Sequence, residues 1–378
     1  MKLFRPVAAV AAAALTLAAL PAAADVTLPP SGGNQKATVI QHMGLVTIQV
    51  DYSSPNVHGP SHKDDRRGKI WGGLVPYGLH DLEWNDCKQC PWRAGANENT
   101  VLTVSHDVKV EGKPLPAGAY GLHMLAGKDA FTVIFSKRSH DWGSYWYDPK
   151  EDALRVDVKP SASEYHEFLT YDFDVRELGK SVLALKWEDL KVPLTITVDE
   201  PLQLYVKNLR EELHGGASWD SEALEAAARF TLENKIALDE GLSWAERSVK
   251  PTLGGRETVQ TLGTLGLLQA ELGKPEAVTT IQKAAALASQ PGDAYRLGRQ
   301  LLTMKKPADA LTVFSGADKR WPGAWPLDVG FARVYAAQGQ KAKALEYARK
   351  ALPKAPNEPN KKNLESIIKK IEAGQALE

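Results

Sequence analysis

The spacing of apolar residues changes once along the chain, close to Asp199. Before that point, apolar and polar residues alternate in short segments, as they do from Val46 to Tyr52. A period of two is that of a half-buried β-strand, and about nine such segments separated by turns are typical of an antiparallel β-sandwich or open barrel. No helix-length pattern interrupts them, which excludes a sheet of alternating strands and helices. We therefore predict an all-β domain over residues 37–200, followed by an all-α region.

The all-α region repeats itself with a period of 34 residues. Small or aromatic residues and a closing proline recur at this spacing: Ala310, Phe314, Ala317 and Pro322, then Ala344, Ala348, Ala351 and Pro356. This is the tetratricopeptide pattern, in which small residues let two antiparallel helices approach each other. Gly298 stands where we expect the first helix of a unit to pack closely. We predict a tetratricopeptide-like helical solenoid over 221–378 with a linker at 201–220; a non-repeating helical bundle is the alternative.

The first 24 residues have the features of a secretory signal peptide. Lys2 and Arg5 precede the apolar run 7–20, and small residues up to Ala24 offer a cleavage site before Asp25. The apolar run is shorter than the roughly 20 residues that span a membrane, so we expect no span after cleavage, although an uncleaved anchor is the alternative. We predict a periplasmic or secreted protein with a flexible lead-in at 25–36.

Charge and motifs exclude several classes of function. The 46 lysines and arginines are balanced by 46 aspartates and glutamates, whereas nucleic acids and anionic membranes are bound by a basic excess. The phosphate-binding, dinucleotide-binding and zinc-protease signatures are missing from the sequence. We therefore expect no nucleic-acid partner and no cofactor.

Both cysteines lie in a turn-rich run between predicted strands, as Cys87-Lys88-Gln89-Cys90. In an exported protein an even number of cysteines favours a disulfide. Two alternatives stay open. The thiolates could bind a metal together with His58, His62 or His80, or the pair could be redox-active.

The segment Trp92-Arg93-Ala94-Gly95-Ala96-Asn97-Glu98 is the strongest candidate for a binding site. The arginine offers a planar set of five donors that suits a carboxylate, phosphate or sugar, and the tryptophan can stack on a ligand. We predict that Arg67, Trp92, Arg93, Asn97 and Glu98 hold a small polar ligand or peptide. The alternative is an internal ion pair between Arg93 and Glu98 that braces the loop. Four aromatic residues in the loop after the predicted strand 131–135 could form a platform for a sugar or peptide or fold onto the core: Trp142, Tyr145, Trp146 and Tyr147.

Six segments of the predicted β-domain carry a resemblance to a known family: Ser54-Pro55, Arg67-Gly68, Leu74-Val75-Pro76-Tyr77-Gly78, the Trp92–Glu98 run, Leu115-Pro116-Ala117-Gly118-Ala119-Tyr120 and the strand 131–135. Together they resemble the DUF2911 family of exported bacterial proteins. The resemblance covers roughly residues 37–198 and implies export and a β-rich domain, without an established activity. Some members are followed by tetratricopeptide-like repeats. This chain departs from the shorter form of the family by inserting 79–91, which holds both cysteines, so a cysteine-based function would not extend to the whole family.

The first hypothesis for function is a non-enzymatic cell-envelope protein, with a ligand site in the β-domain and a protein partner on the helical repeats. The first alternative is a metal-assisted hydrolase that uses the loop histidines and Glu98. The second is an envelope thiol/disulfide protein. Whether Arg93 and Glu98 face a cavity or each other separates a binding site from a structural brace.

Overall fold

The computed structural model describes residues 33–59, 64–83 and 87–377. The predicted signal peptide, most of the predicted lead-in and His62 lie outside the described residues. The chain forms two compact units, which divide between Thr197 and Val198.

The first unit contains ten β-strands within its described residues. They are β1 (Gln35–Met43), β2 (Val46–Ser54), β3 (Thr100–Val104), β4 (Val108–Val110), β5 (Lys113–Leu115), β6 (Gly118–Leu125), β7 (Phe131–Ser136), β8 (Asp152–Val158), β9 (Ser161–Arg176) and β10 (Lys180–Thr197). A six-stranded sheet has the order β1-β2-β3-β6-β7-β8, and a four-stranded sheet has the order β5-β4-β10-β9. Neighbouring strands are antiparallel in both sheets, and neither closes into a barrel. The prediction of an antiparallel β-domain is confirmed.

Side chains of both sheets contribute to the core of this unit. Leu102 and Leu122 of the six-stranded sheet are fully buried, and Trp187 of the four-stranded sheet is 1% exposed. Tyr52 and Tyr171 join the sheets: their ring centroids are 4.9 Å apart, and the Tyr171 N–H donates to the Tyr52 hydroxyl at 3.3 Å.

Strand β10 is longer than the sequence pattern predicted. Apolar residues occupy odd positions up to Trp187 and even positions from Val192, a change of phase that predicts two strands. The structure instead has one strand whose register shifts on both sides of Glu188, a residue with φ of 54°. An extra residue in a β-bulge moves every later side chain to the other face, which accounts for the change of phase.

The second unit contains ten α-helices within its described residues. They are α1 (Pro201–Glu212), α2 (Ser221–Asn234), α3 (Leu238–Ser248), α4 (Val259–Glu271), α5 (Ala277–Leu287), α6 (Pro291–Thr303), α7 (Pro307–Asp318), α8 (Trp325–Ala337), α9 (Lys341–Ala351) and α10 (Glu358–Glu372). None of these described helices is long and apolar enough to cross a membrane.

The predicted linker at 201–220 needs a correction, because most of it is helix α1. Its apolar residues recur every three or four positions, from Leu202 through Val206 to Leu209. Val206 is fully buried in a cluster that also contains Leu224 and Trp244. The two glycines at 215 and 216 favour a linker, but the helix is interrupted only at this end of the segment.

The predicted helical repeats are confirmed at their contact positions. Ala310, Ala344 and Ala348 are fully buried in the second unit. A Cβ atom added at Gly298 would lie 2.2 Å from Phe314 Cε1, so α6 and α7 approach as closely as the sequence indicated.

Candidate functional site

A cavity of about 270 Å³ lies in the β-unit beside the Trp92-Arg93 turn. Its described lining includes Arg66, Arg93 and His80 but no carboxylate. Most of the remaining wall is apolar: Pro55, Leu74, Val75, Pro76, Leu82, Pro91, Trp92 and Trp187. The cavity therefore combines apolar walls with an excess of basic groups.

Trp92 is fixed on both its backbone and its ring. Its N–H donates to the Met124 carbonyl at 2.9 Å, and the Met124 N–H donates back at 2.8 Å. Its ring stacks on Trp187 at 6.3 Å and meets Trp71 edge-on at 5.7 Å. A rigid aromatic wall results, because each ring is held by the others.

The backbone of the following turn is held from two sides. The hydroxyls of Thr100 and Tyr171 donate to the Ala94 carbonyl at 3.0 and 2.8 Å. Ala94 and Asn97 both have positive φ, at 52° and 58°. A left-handed alanine persists only where its surroundings enforce it, and here two buried hydroxyls do so.

Arg93 faces the cavity and has no carboxylate partner among the described residues. One of its nitrogens, Nη1, donates to the Asn97 carbonyl at 2.6 Å. Its guanidinium carbon lies 5.0 Å from the centroid of the Tyr145 ring. The guanidinium also covers Gly143, where an added Cβ would lie 2.3 Å from the Arg93 Cζ. Because a guanidinium has five donors, several remain for a ligand.

Glu98 is engaged elsewhere, so the internal Arg93–Glu98 pair does not form. Its carboxylate lies 2.9 Å from Lys36 Nζ and accepts from the Ser53 hydroxyl at 3.3 Å. Partial burial raises the pKa of Glu98, but hydrogen bonds, first among them that from Lys36, outweigh it, and the net shift is downward. Glu98 is a structural anchor for the start of β1.

The other two predicted ligand-binding residues have different places. The Asn97 carbonyl supports Arg93, while its side-chain oxygen accepts from Asn34 at 3.2 Å. Arg67 is exposed and pairs with Asp65 at 2.6 Å, outside the cavity lining. Of the five predicted residues, the structure brings Trp92 and Arg93 into the cavity wall and places Asn97 behind them.

His80 lines the cavity, and both cysteines lie in the segment between His80 and Trp92. Cys87 and Cys90 are joined in a disulfide, with Cα atoms 5.8 Å apart. The backbones of His80 and Cys90 exchange two hydrogen bonds, at 2.8 and 3.1 Å. His80 Nδ1 is buried and has no hydrogen-bond partner within the part of the chain that the structure describes. Burial, followed by the charge of Arg93, lowers the pKa of His80. The disulfide thus braces the segment that leads into Trp92 and Arg93.

The described residues offer no cluster of three potential metal ligands. His58 Nδ1 lies 2.8 Å from a Glu167 oxygen, and both sulfurs are consumed by the disulfide. The described histidines and cysteines named for a metal site therefore do not form such a cluster, and His62 lies outside the described residues.

Sequence reasoning missed two residues beside the cavity, Ser144 and His123. Their Oγ and Nδ1 atoms are 2.9 Å apart, and both residues are almost completely buried. His123 alternates along strand β6 with the apolar residues Leu122 and Met124, and the 140–147 loop covers it with Ser144 and Tyr147. In that loop Trp142 and Trp146 are about half exposed, whereas Tyr145 packs on Arg93.

A second cavity, of about 560 Å³, lies in the helical unit along α2, α4 and α6. Leu232, Leu267 and Leu297 give it an apolar floor. The charged side chains at its border pair with one another, as Lys235 does with Glu271 at 2.8 Å. We call this cavity the helical groove.

The two units match two different family models. Residues 34–196 match DUF2911, described as "Protein of unknown function", and residues 301–367 match a tetratricopeptide repeat family. The β-unit is a DUF2911 domain. The Trp92–Glu98 turn that walls the cavity lies inside the matched range, while the helical groove lies mostly before the matched repeats.

No curated protein matches the chain. Among solved structures, a crystal structure of MamA is 17% identical, covers 41% of this chain and 88% of its own, and has a TM-score of 0.30. YrrB, titled "a TPR protein with an unusual peptide-binding site", is 20% identical over 44% of this chain and 84% of its own, at a TM-score of 0.29. MamA from Desulfovibrio magneticus RS-1 is 19% identical over 42% and 95%, at 0.27. Scores this low carry no functional argument.

Proposed function

We propose that this protein is an exported interaction protein whose DUF2911 domain binds a small anionic ligand with an apolar body. The observation that carries the proposal is the Arg93 guanidinium. It lines a cavity, makes one hydrogen bond and has no carboxylate partner among the described residues. A partly buried cation without a counter-charge is costly, and an anion that enters the cavity would remove that cost.

The size and walls of the cavity restrict the ligand further. A volume of about 270 Å³ is below the range of about 300–1,000 Å³ typical of pockets for drug-sized molecules. The stacked rings of Trp92 and Trp187 contribute apolar wall, and the buried Trp187 Nε1 has no hydrogen-bond partner among the described residues. These features favour a short carboxylate with a compact apolar group, which places its oxygens on Arg93.

Thermal denaturation with a panel of short carboxylates and their matched amides tests this proposal. A ligand that binds only the folded state stabilises it, by about 2.7 kcal/mol at 100 times the dissociation constant. We expect a carboxylate, but not its amide, to raise the Tm of the wild type. Arg93→Met should abolish this rise.

Arg67→Met is the matched control, because Arg67 lies outside the cavity on an exposed Asp65. It should respond to the carboxylate as the wild type does. If Arg93→Met still responds, or if amides stabilise as well as acids, the anion site is wrong.

The helical groove favours a second candidate function, docking of an extended polypeptide segment. Its floor is apolar and its border charges are already paired, so it suits a segment with apolar side chains rather than a highly charged one. A photo-crosslinking amino acid at Gln300 of the groove should trap a partner in cells. The same probe at Leu287, which is 48% exposed on α5, is the control. Equal adducts at both positions would argue against the groove.

A further inference from the structure

Ser144 and His123 form a pair of nucleophile and base type at the cavity wall. The Ser144 Oγ lies 2.9 Å from the His123 Nδ1, within the range in which a serine hydroxyl passes its proton to an imidazole. Ser144 lines the cavity although it is only 1% exposed, and His123 behind it is 2% exposed. The Tyr147 ring meets the imidazole edge-on at 5.4 Å and fixes its plane.

A cation lies next to this pair. The Arg93 guanidinium covers Gly143, the residue before Ser144, so closely that an added Cβ would lie 2.3 Å from its Cζ. A positive charge at this position favours an alkoxide at Ser144 and holds an anionic group of a substrate nearby.

His123 has the protonation state that a general base requires. Burial, and then the charge of Arg93, lower its pKa to about 4, although Asp141 acts in the opposite direction. The imidazole is therefore neutral at neutral pH, and in the tautomer with its proton on Nε2 the Nδ1 atom accepts the hydrogen bond of the Ser144 hydroxyl.

We propose that Ser144 is the nucleophile and His123 the general base of a site that hydrolyses small esters carrying a separate carboxylate. The choice of an anionic substrate rests on the proposed anion-binding function of Arg93. The serine–histidine pair itself is an independent observation.

The reaction needs only the ester and water. The Ser144 Oγ bonds to the ester carbonyl carbon as its proton passes to His123 Nδ1. The bond from that carbon to the alcohol oxygen then breaks, and His123 returns the proton to the leaving alcohol. Water then bonds to the acyl carbon as one of its protons passes to His123. The bond from that carbon to Ser144 Oγ breaks, His123 returns the proton to Oγ, and the acid is released.

The chain contains an internal control for the hydrogen bond alone. Ser105 Oγ lies 2.8 Å from His106 Nδ1, so the same two atom types meet at nearly the same distance. That pair is exposed, and neither residue lines the described cavities. A serine–histidine hydrogen bond without a cavity and a cation should be inert.

Labelling with a fluorophosphonate probe and hydrolysis of p-nitrophenyl hemisuccinate test the proposal on the purified protein. We expect the label on Ser144 and not on Ser105. Ser144→Ala should reduce hydrolysis to the background rate, and His123→Gln should reduce it by roughly 100-fold or more. Ser105→Ala should hydrolyse as the wild type does, and circular dichroism verifies that each variant is folded.

Three results would overturn the ester site: no label on Ser144, equal label on Ser105, or hydrolysis by folded Ser144→Ala at the wild-type rate. If Ser144→Ala does not fold, Ser144→Cys replaces it, and its thiol should then form the acyl adduct. Succinate binding by the wild type is measured in parallel. An unlabelled Ser144 in a protein that binds succinate overturns the ester site alone, whereas loss of binding overturns the anion cavity as well.

Discussion

Phe314 in the helical unit is held between two glycines of neighbouring helices. A Cβ at Gly298 would lie 2.2 Å from Phe314 Cε1, and a Cβ at Gly330 would lie 2.8 Å from Phe314 Cζ. The ring is fully buried and packs against Tyr295 at 6.2 Å and Phe331 at 6.0 Å. It therefore has no empty space into which it could turn.

The substitution Gly298→Ala sets two effects against each other. Alanine is favoured over glycine in a helix interior by about 1 kcal/mol. A methyl group forced into a packed core costs about 1–3 kcal/mol, and the close approach to Phe314 places this case toward the upper end. We expect a net loss of about 1–2 kcal/mol in the free energy of unfolding.

Denaturant unfolding followed by circular dichroism at a helical wavelength measures this loss. The matched control is Gly316→Ala, because Gly316 is also helical and a Cβ there meets nothing within 4 Å. The control should be stabilised by up to about 1 kcal/mol. Replacing Phe314 by leucine should relieve part of the Gly298→Ala penalty, since the two positions are in contact. If Gly298→Ala and Gly316→Ala shift stability in the same direction, the close packing of α6 on α7 is wrong.

Each of three further predictions rests on a single feature of the chain. Arg320 donates to the carbonyls of Ala285, Ala286 and Ala288 at 2.7–3.0 Å. Arg320→Ala should therefore lower the free energy of unfolding by roughly 1 kcal/mol. Arg349 is exposed, and Arg349→Ala should lower it by under about 0.5 kcal/mol in the same unfolding assay. The pKa of His123 is lowered to about 4 in the folded protein. The unfolded chain therefore binds a proton first, and stability should be lost as pH falls from about 6.5 toward 4. His123→Gln should flatten this part of a pH titration of Tm, and an unchanged slope would contradict it. Terminal sequencing of the protein from the cell envelope should find Asp25 first, and a chain beginning at Met1 would contradict cleavage after Ala24.

The fold was predictable where a single period governs a segment. Alternation identified the strands, and the 34-residue repeat identified the helical pairs, including the approach at Gly298. The prediction of the fold was wrong where local geometry interrupts the period. The bulge at Glu188 changes the phase of the apolar–polar alternation within one strand. The glycines at 215 and 216 favour a linker, although the residues before them have the amphipathic pattern of α1.

The candidate site was only partly predictable, because its parts come from distant places in the chain. Trp92 and Arg93 stand in one conspicuous turn, so sequence reasoning could find them. Ser144, His123 and Trp187 reach the same place through the loop after β7, strand β6 and strand β10. A local pattern in a single sequence does not predict that such distant segments come into contact.

The role of a charged residue also depends on partners that the sequence does not identify. Glu98 lies five residues after Arg93, and an internal pair between them was a reasonable hypothesis. Lys36 instead takes the carboxylate at 2.9 Å, which leaves Arg93 to face the cavity. Because Glu98 pairs with Lys36, Arg93 does not brace the loop through an ion pair with Glu98 and is a candidate for binding an anion.

A crystal structure of the protein grown with butyrate tests the central claim most directly. We predict that the carboxylate lies within hydrogen-bond distance of the Arg93 guanidinium, with its alkyl chain against Trp92 and Trp187. A cavity that stays free of butyrate at saturating concentration, or an Arg93 side chain that has turned to a protein carboxylate, would contradict the account.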